Sequence, residues 1–147
     1  MSLFYEAQDA ISYIRNPSGH TQEGKSRKRS EHESEQESKA LDDAYVFIER
    51  YNENKESFVK LKALKYRFIV VYGKEAGQPF NSLFSVIYKI FGAARQLGSR
   101  YWKYQGRMNF TEEQLQRHID KMEEYESIVW FGINNPDQIE LEIERVI

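Results

Sequence analysis

The stretch from Ser38 to Tyr72 most constrains the fold, because its apolar residues recur at steps of three and four. This spacing places them on one face of an α-helix. At a rise of about 1.5 Å per residue, such a helix would be roughly 50 Å long and would need partners along its length. We therefore predict an all-α fold, an antiparallel bundle of four to six helices around one long central helix. The apolar positions are Leu41, Ala44, Ile48, Tyr51, Phe58, Leu61, Leu64, Phe68 and Val71.

Two features leave the form of this central helix open. Asn52 to Asn54 can interrupt it, because Asn is a poor helix former, so one bent helix or two helices are both allowed. Residues 68–72 are β-branched and aromatic, and taken alone they also suit a buried strand, with 128–131 as a comparable run. Both runs continue helix-periodic segments without a turn signal. We therefore expect helix ends, and we expect 68–72 to be the most buried part of the central helix.

Capping signals and apolar periodicity predict the remaining helices. Ser2 can cap a first helix that ends before Asn16, and Ser34 with Glu37 fits a capping box for the long helix. Pro79 suits the first turn of a helix over residues 80–104, in which Gly92, Ala93 and Ala94 form a narrow waist for close helix contact.

Two more helices are expected towards the C-terminus. Thr111 opens one with a capping box, and its inward stripe is Leu115, His118 or Ile119, Met122, Tyr125 and Val129. Asn135 and Pro136 predict the N-cap and first position of the last helix, although residues 139–144 alternate as in a strand.

Composition indicates one domain over residues 1–147. Hydrophobic residues make up 40% and charged residues 30% of the chain, which favours amphipathic helices with a charged surface. Residues 16–36 contain hardly any apolar side chain, so we predict a polar arm with little to hold it rigid. The net charge of −2 gives no overall attraction to nucleic acid, which is not an expected partner. The absence of cysteine excludes thiolate sites, and with three scattered histidines we expect no metal and no cofactor.

Residues 19–26 match the phosphate-binding loop pattern G-x-x-x-x-G-K-[ST]. In that class of site, the loop joins a buried strand to a helix whose amides face the phosphates. Here the preceding segment is an amphipathic helix, and residues 27–39 lack the apolar side chains needed to pack on a sheet. The pattern therefore does not predict nucleotide binding.

The segment from Arg15 to His20 resembles the R-x-x-x-x-H signature of HEPN ribonucleases, which are all-helical. The resemblance implies a general acid or base at His20 and stabilisation of phosphate charge by Arg15. It covers six residues, and the motif normally lies late in that family's domain. A helix end that carries an arginine, followed by a histidine in a turn, is the simpler interpretation. An RNA-handling or phosphate-handling protein that uses residues 15–29 is the alternative function.

Two basic groups are candidates for binding phosphate or nucleic acid. The first group, within residues 25–29, could also contact anionic lipid. Alternating glutamates follow it, and a solvated segment explains both the basic and the acidic run. The second group combines cations with aromatic rings, as nucleic-acid sites do, but a core stripe with surface charges is the stronger interpretation. The groups are Lys25, Arg27, Lys28 and Arg29, and then Arg100, Lys103 and Arg107 beside Tyr101, Trp102 and Tyr104.

The remaining titratable residues predict no catalytic site. His118 lacks the Glu-x-x-His spacing of a di-metal bundle, so a half-buried structural histidine is expected. Glu140, Glu142 and Glu144 are expected to form a surface face.

Five segments resemble a loose group of small uncharacterised bacterial proteins that carry one N-terminal membrane-spanning helix before a charged helical domain. The resemblance implies no activity, but it implies a membrane anchor outside this sequence. The present sequence contains no run near the ~18 apolar residues of a span and no signal-peptide pattern, so we expect a soluble, cytoplasmic chain. The segments are residues 44–51, 64–68, 90–95, 101–102 and 105–107.

The main functional hypothesis is therefore a non-enzymatic helical interaction domain. It would bind another protein or itself, and it would meet a membrane only through a segment absent from this sequence.

Overall fold

The computed structural model describes residues 2–18, 23–102, 109–130 and 137–147. These residues contain six α-helices and no strand, which confirms the predicted all-α bundle. The helices are α1 (Ser2–Ile14), α2 (Glu35–Glu53), α3 (Lys55–Tyr72), α4 (Gln78–Gln96), α5 (Glu112–Val129) and α6 (Gln138–Val146). A 3₁₀ turn, Lys74–Gly77, precedes α4, and a π-helical turn, Leu97–Tyr101, follows it.

The core is arranged around α4, which packs against α2, α3, α5 and α6. One side of α4 supplies a series of fully buried apolar side chains, because its apolar residues follow the helical repeat. The other helices complete the core from several directions. The largest of these buried side chains are Phe47, Phe58, Leu61, Leu83, Ile90, Leu97, Ile11 and Ile14.

The predicted long helix is two helices, α2 and α3, which meet at Asn54. The Asn54 side chain donates a hydrogen bond to the carbonyl of Arg50 at 2.9 Å, and its amide bonds to the carbonyl of Tyr51 at 3.0 Å. A polar side chain that satisfies carbonyls of the preceding turn ends α2 without Gly or Pro.

The expectation that residues 68–72 are the most buried part of this stretch is wrong. They are helical, but Val70 is 85% exposed, Val71 68% and Tyr72 71%. Phe68 does reach inward and packs on Phe80, with ring centroids 5.5 Å apart. The error arises because β-branched composition reports conformational preference and not burial.

The predicted N-terminal caps of α2 and α5 are confirmed. Ser34 accepts a hydrogen bond from the Glu37 amide at 3.1 Å, and Thr111 forms a complete capping box with Gln114. Pro79 lies in the first turn of α4 as predicted.

Three finer predictions need correction. The N-cap of α6 is Asp137, whose Oδ1 accepts bonds from the amides of Ile139 and Glu140, whereas Asn135 lies outside the described residues. Leu115 of the predicted α5 stripe is 46% exposed. The close helix contact occurs at Gly98 and not at Gly92, since a Cβ on Gly98 would lie 2.7 Å from the Cβ of Ala44, while one on Gly92 would meet nothing within 4 Å.

Candidate functional site

Arg15, a candidate in the ribonuclease interpretation, is 1% exposed and is held within the fold. Its guanidinium donates to three carbonyls at the C-terminal end of α5 and to Oδ2 of Asp137 at 3.0 Å. These bonds engage Nε and Nη2, and the burial of Arg15 separates its guanidinium from an external phosphate. His20, the other candidate of that interpretation, lies outside the described residues.

The candidate phosphate-binding loop contacts a carboxylate of the protein itself. The amides of Gly24 and Ser26 donate to the two oxygens of Glu49, at 2.6 and 3.0 Å. Burial raises the pKa of Glu49, but these bonds and one from the Ser26 hydroxyl outweigh it, and the net result is a lowered pKa. Gly24 has φ +85° and no room for a Cβ, because that atom would overlap the carbonyl oxygen of Asp42. The described part of this motif therefore holds the arm against α2.

The first basic group forms ion pairs with acidic residues. Arg27 binds both oxygens of Glu33, at 2.8 and 2.7 Å, and Oδ1 of the buried Asp42 at 3.0 Å. Arg29 and Lys25, whose side chains are about half exposed, reach Oδ2 of Asp42 at 2.7 and 3.7 Å. Lys28 is exposed. The two carboxylates offset half of the four positive charges that would attract an external anion.

The pKa values of this cluster follow from the same contacts. Hydrogen bonds from Arg27, the Ser30 amide and the Ser38 hydroxyl lower the pKa of Glu33 to about 2. For Asp42, burial acts to raise the pKa, but the bonds from Arg29 and Arg27 outweigh it and the pKa falls below its ordinary value. Both carboxylates are thus charged at neutral pH and hold the cations in place.

The second basic group is only partly described. Arg100 is exposed on the π-helical turn, and Lys103 and Arg107 lie outside the described residues. Trp102 turns inward, where its indole N–H donates to Glu126 at 2.9 Å. His118 is half-buried as predicted, with its ring 5.0 Å from Tyr101 and 5.2 Å from Phe110.

A surface that the sequence interpretation did not identify runs along the outer side of α4. Two cavities of about 490 and 620 Å³ adjoin there and share Tyr51 and Phe91 in their linings. We call them together the α4 groove. Its floor is the outward face of α4 and of the π-helical turn that follows it, from Asn81 to Ser99, roughly 27 Å at the helical rise. The walls are Leu41, Tyr45 and Ile48 of α2 and Val59, Lys62 and Tyr66 of α3.

Aromatic side chains make up a third of the lining of the α4 groove, seven of its 21 residues. Tyr51 stacks on Phe58 at 4.8 Å and meets Phe91 edge-on at 5.2 Å, so the middle of the groove is a packed aromatic cluster. Burial raises the pKa of Tyr51, which keeps its phenol neutral. Rings of this kind offer large contact area at low entropic cost. The seven aromatic residues are Tyr45, Tyr51, Phe58, Tyr66, Phe84, Tyr88 and Phe91.

Exposed apolar side chains extend the wall that α3 contributes. Val59, Ala63, Tyr66 and Val70 follow one another at steps of four, three and four, and all four are exposed. At about 100° per residue this stripe lies opposite the inward stripe that contains Phe58 and Leu61. Helix α3 thus has one apolar face in the core and a second that the described residues leave uncovered. Contiguous exposed apolar surface of this kind marks interaction sites.

The described residues lack the features of two other classes of site. No group of three or more His, Cys, Asp or Glu among them could hold a metal ion. None of the helices in the described ranges is long and apolar enough to cross a membrane.

Comparisons with protein families, curated proteins and solved structures give no match to this chain.

Sequence reasoning missed the α4 groove although part of its signal was present. The spacing of Val59, Ala63, Tyr66 and Val70 indicates the second apolar stripe of α3. Because the inward stripe already accounts for an amphipathic helix, the second stripe did not lead to a predicted binding surface. The meeting of α2, α3 and α4 along one line depends on tertiary packing, which no local pattern specifies.

Proposed function

We propose that this protein is a non-enzymatic interaction domain that binds a helix of another protein, or of a second copy, in the α4 groove. The observation that carries the proposal is the groove itself, an apolar channel of aromatic side chains along the outward face of α4. Its length of roughly 27 Å equals that of a helix of about 18 residues. Recognition of an amphipathic helix by an apolar groove is a recurrent binding mode.

The exposure of the lining supports the same proposal. Tyr88 is 68% exposed, Val59 56% and Ile48 40%, so a bound helix would remove substantial apolar surface from water. The hydrogen bonds and ion pairs of Arg15, Arg27 and Glu49 support a structural role for Arg15 and for residues 23–29, and for that reason we do not favour the ribonuclease alternative.

A displayed library of helical peptides tests the proposal. We expect selected peptides that bind the wild type and lose binding to Ile48→Asp/Tyr88→Asp, which places charge in the groove. The matched control is Tyr5→Asp/Val71→Asp, which adds the same charge at exposed apolar positions outside the lining. If the bound helix belongs to a second copy, light scattering after size exclusion should detect a dimer that the groove variant does not form. A strictly monomeric protein that selects no groove-dependent peptide would refute the proposal.

A further inference from the structure

The charged residues of the α4 groove are all basic. Arg27, Lys62, Lys65 and Arg95 line it, and no Asp or Glu is present in the described lining, although the chain has 23 acidic residues. A groove that collected surface charge at random from a chain of net charge −2 would contain both signs. The lining therefore has an electrostatic preference of its own.

Three of these cations are available to a partner. Arg27 is neutralised by Glu33 and Asp42. Lys62, Lys65 and Arg95, by contrast, form no ion pair with any described residue, and the contact described for the Lys65 ammonium is with the ring of Tyr66 at 5.6 Å. Lys62 and Lys65 lie on the α3 side and Arg95 near the other end of the floor, so positive charge flanks the aromatic centre along the groove.

From this arrangement we infer that the partner is an acidic amphipathic helix, with apolar residues against the aromatic floor and carboxylates against Lys62, Lys65 and Arg95. The inference rests on the proposed function and adds the chemistry of the ligand. Carboxylates at the rim would select the partner and speed its association, while the apolar contacts would supply most of the affinity. A concave channel fits a helix, whereas an anionic bilayer would favour a convex apolar surface.

Two synthetic peptides test the inference. Each has about 18 residues, with leucines at steps of three and four, and they differ only in having glutamates or lysines at the flanking positions. We expect fluorescence anisotropy to show binding of the acidic peptide about tenfold tighter than the basic one at low salt. The difference should shrink as sodium chloride is raised to about 0.5 M, because the rim charges are exposed to solvent.

Charge reversal assigns the preference to the three cations. The triple variant Lys62→Glu/Lys65→Glu/Arg95→Glu should bind the basic peptide more tightly than the acidic one. Because Lys65 is half-buried and its reversal could unfold the protein, the double variant Lys62→Glu/Arg95→Glu is measured in parallel. The control Lys28→Glu/Arg117→Glu/Arg145→Glu changes the net charge equally at exposed positions outside both the lining and α3, and should leave the preference unchanged.

The outcomes separate the inference from the proposed function. Equal binding of both peptides, or tighter binding of the basic one, would overturn the charge preference while leaving the helix-binding groove intact. Binding of neither peptide would count against the groove itself. Sedimentation with phosphatidylglycerol vesicles that is lost in the reversed variants, without peptide binding, would assign these cations to a membrane and overturn the inference.

Discussion

Two buried arginines connect distant parts of this fold by capping helices. Arg15 caps α5 and also binds Asp137, the N-cap residue of α6. Arg50 caps the end of α1 and also binds Glu23. Carbonyls at a helix C-terminus lack intrahelical partners and carry partial negative charge, so a guanidinium satisfies both needs. Arg50 donates to the carbonyls of Tyr13, Ile14, Asn16 and Ser18 and to both oxygens of Glu23.

Replacing Arg15 should destabilise the whole molecule. Arg15→Met keeps the aliphatic length but leaves the buried Asp137 and three partly buried carbonyls without their donor, so we expect a loss of about 3–5 kcal/mol in the free energy of unfolding. Urea denaturation followed by circular dichroism measures it. Arg117→Met, at a side chain that is 71% exposed, should change stability by less than about 0.5 kcal/mol. A loss below about 1 kcal/mol at Arg15 would contradict the capping role.

Glu33 should make stability depend on acid pH. Its folded pKa of about 2 lies below the ordinary value of 4.5, mainly because of the bidentate bond from Arg27. A lowered folded pKa contributes stability that is complete above the unfolded value and is lost as the pH falls from about 5 towards 2. Glu33→Gln should be less stable than the wild type at pH 7, and the gap should narrow as pH falls towards 3. Urea midpoints across this range, with the exposed Glu31→Gln as control, measure the effect, and a constant gap would rule it out.

Apolar periodicity and caps are enough to identify most of the helices. They do not show which face of a helix packs against the others. Ser34, Thr111 and Pro79 act through neighbours in the chain, and each is where local reasoning places it. Val70 shows the limit, because the same helical pattern is compatible with either face of α3 being buried. Which face packs depends on α1 and α4, and the α4 groove depends on the same packing.

Two glycines give a direct test of helix contact. Gly98→Ala should destabilise by about 1–3 kcal/mol, since its Cβ would overlap Ala44 in α2 and force the helices apart. Gly92→Ala should stabilise by roughly 0.5–1 kcal/mol, because the position is open and Ala is the better helix former. Both values come from the same urea titration. Equal changes in stability for Gly98→Ala and Gly92→Ala would contradict a close helix contact between Ala44 and Gly98.

Over the whole molecule, the net charge is only −2, although two of the helices carry strong net charges of opposite sign. Helix α3 has five basic residues and one acidic residue, a net charge of +4, whereas α5 has six acidic and two basic residues, a net charge of −4. Residues 25–29 stand out in the sequence as a run of like charge, but Asp42 and Glu33 offset two of their four positive charges. The cations of α3 are spaced along a helix and form no run.

This charge separation should let an acidic protein bind a cation exchanger. At pH 7 and about 20 mM salt the Debye length exceeds 20 Å, so the cations of α3 act together on a sulfonate resin, and we expect retention and elution by salt. Lys55→Gln/Lys62→Gln/Arg67→Gln should flow through. Lys39→Gln/Lys89→Gln/Lys121→Gln, which removes the same charge from residues already paired with Asp43, Glu142 and Glu124, should still be retained. If the two variants eluted together, total charge alone would govern retention. The cations of α3 would then produce no local positive potential that could attract an acidic partner.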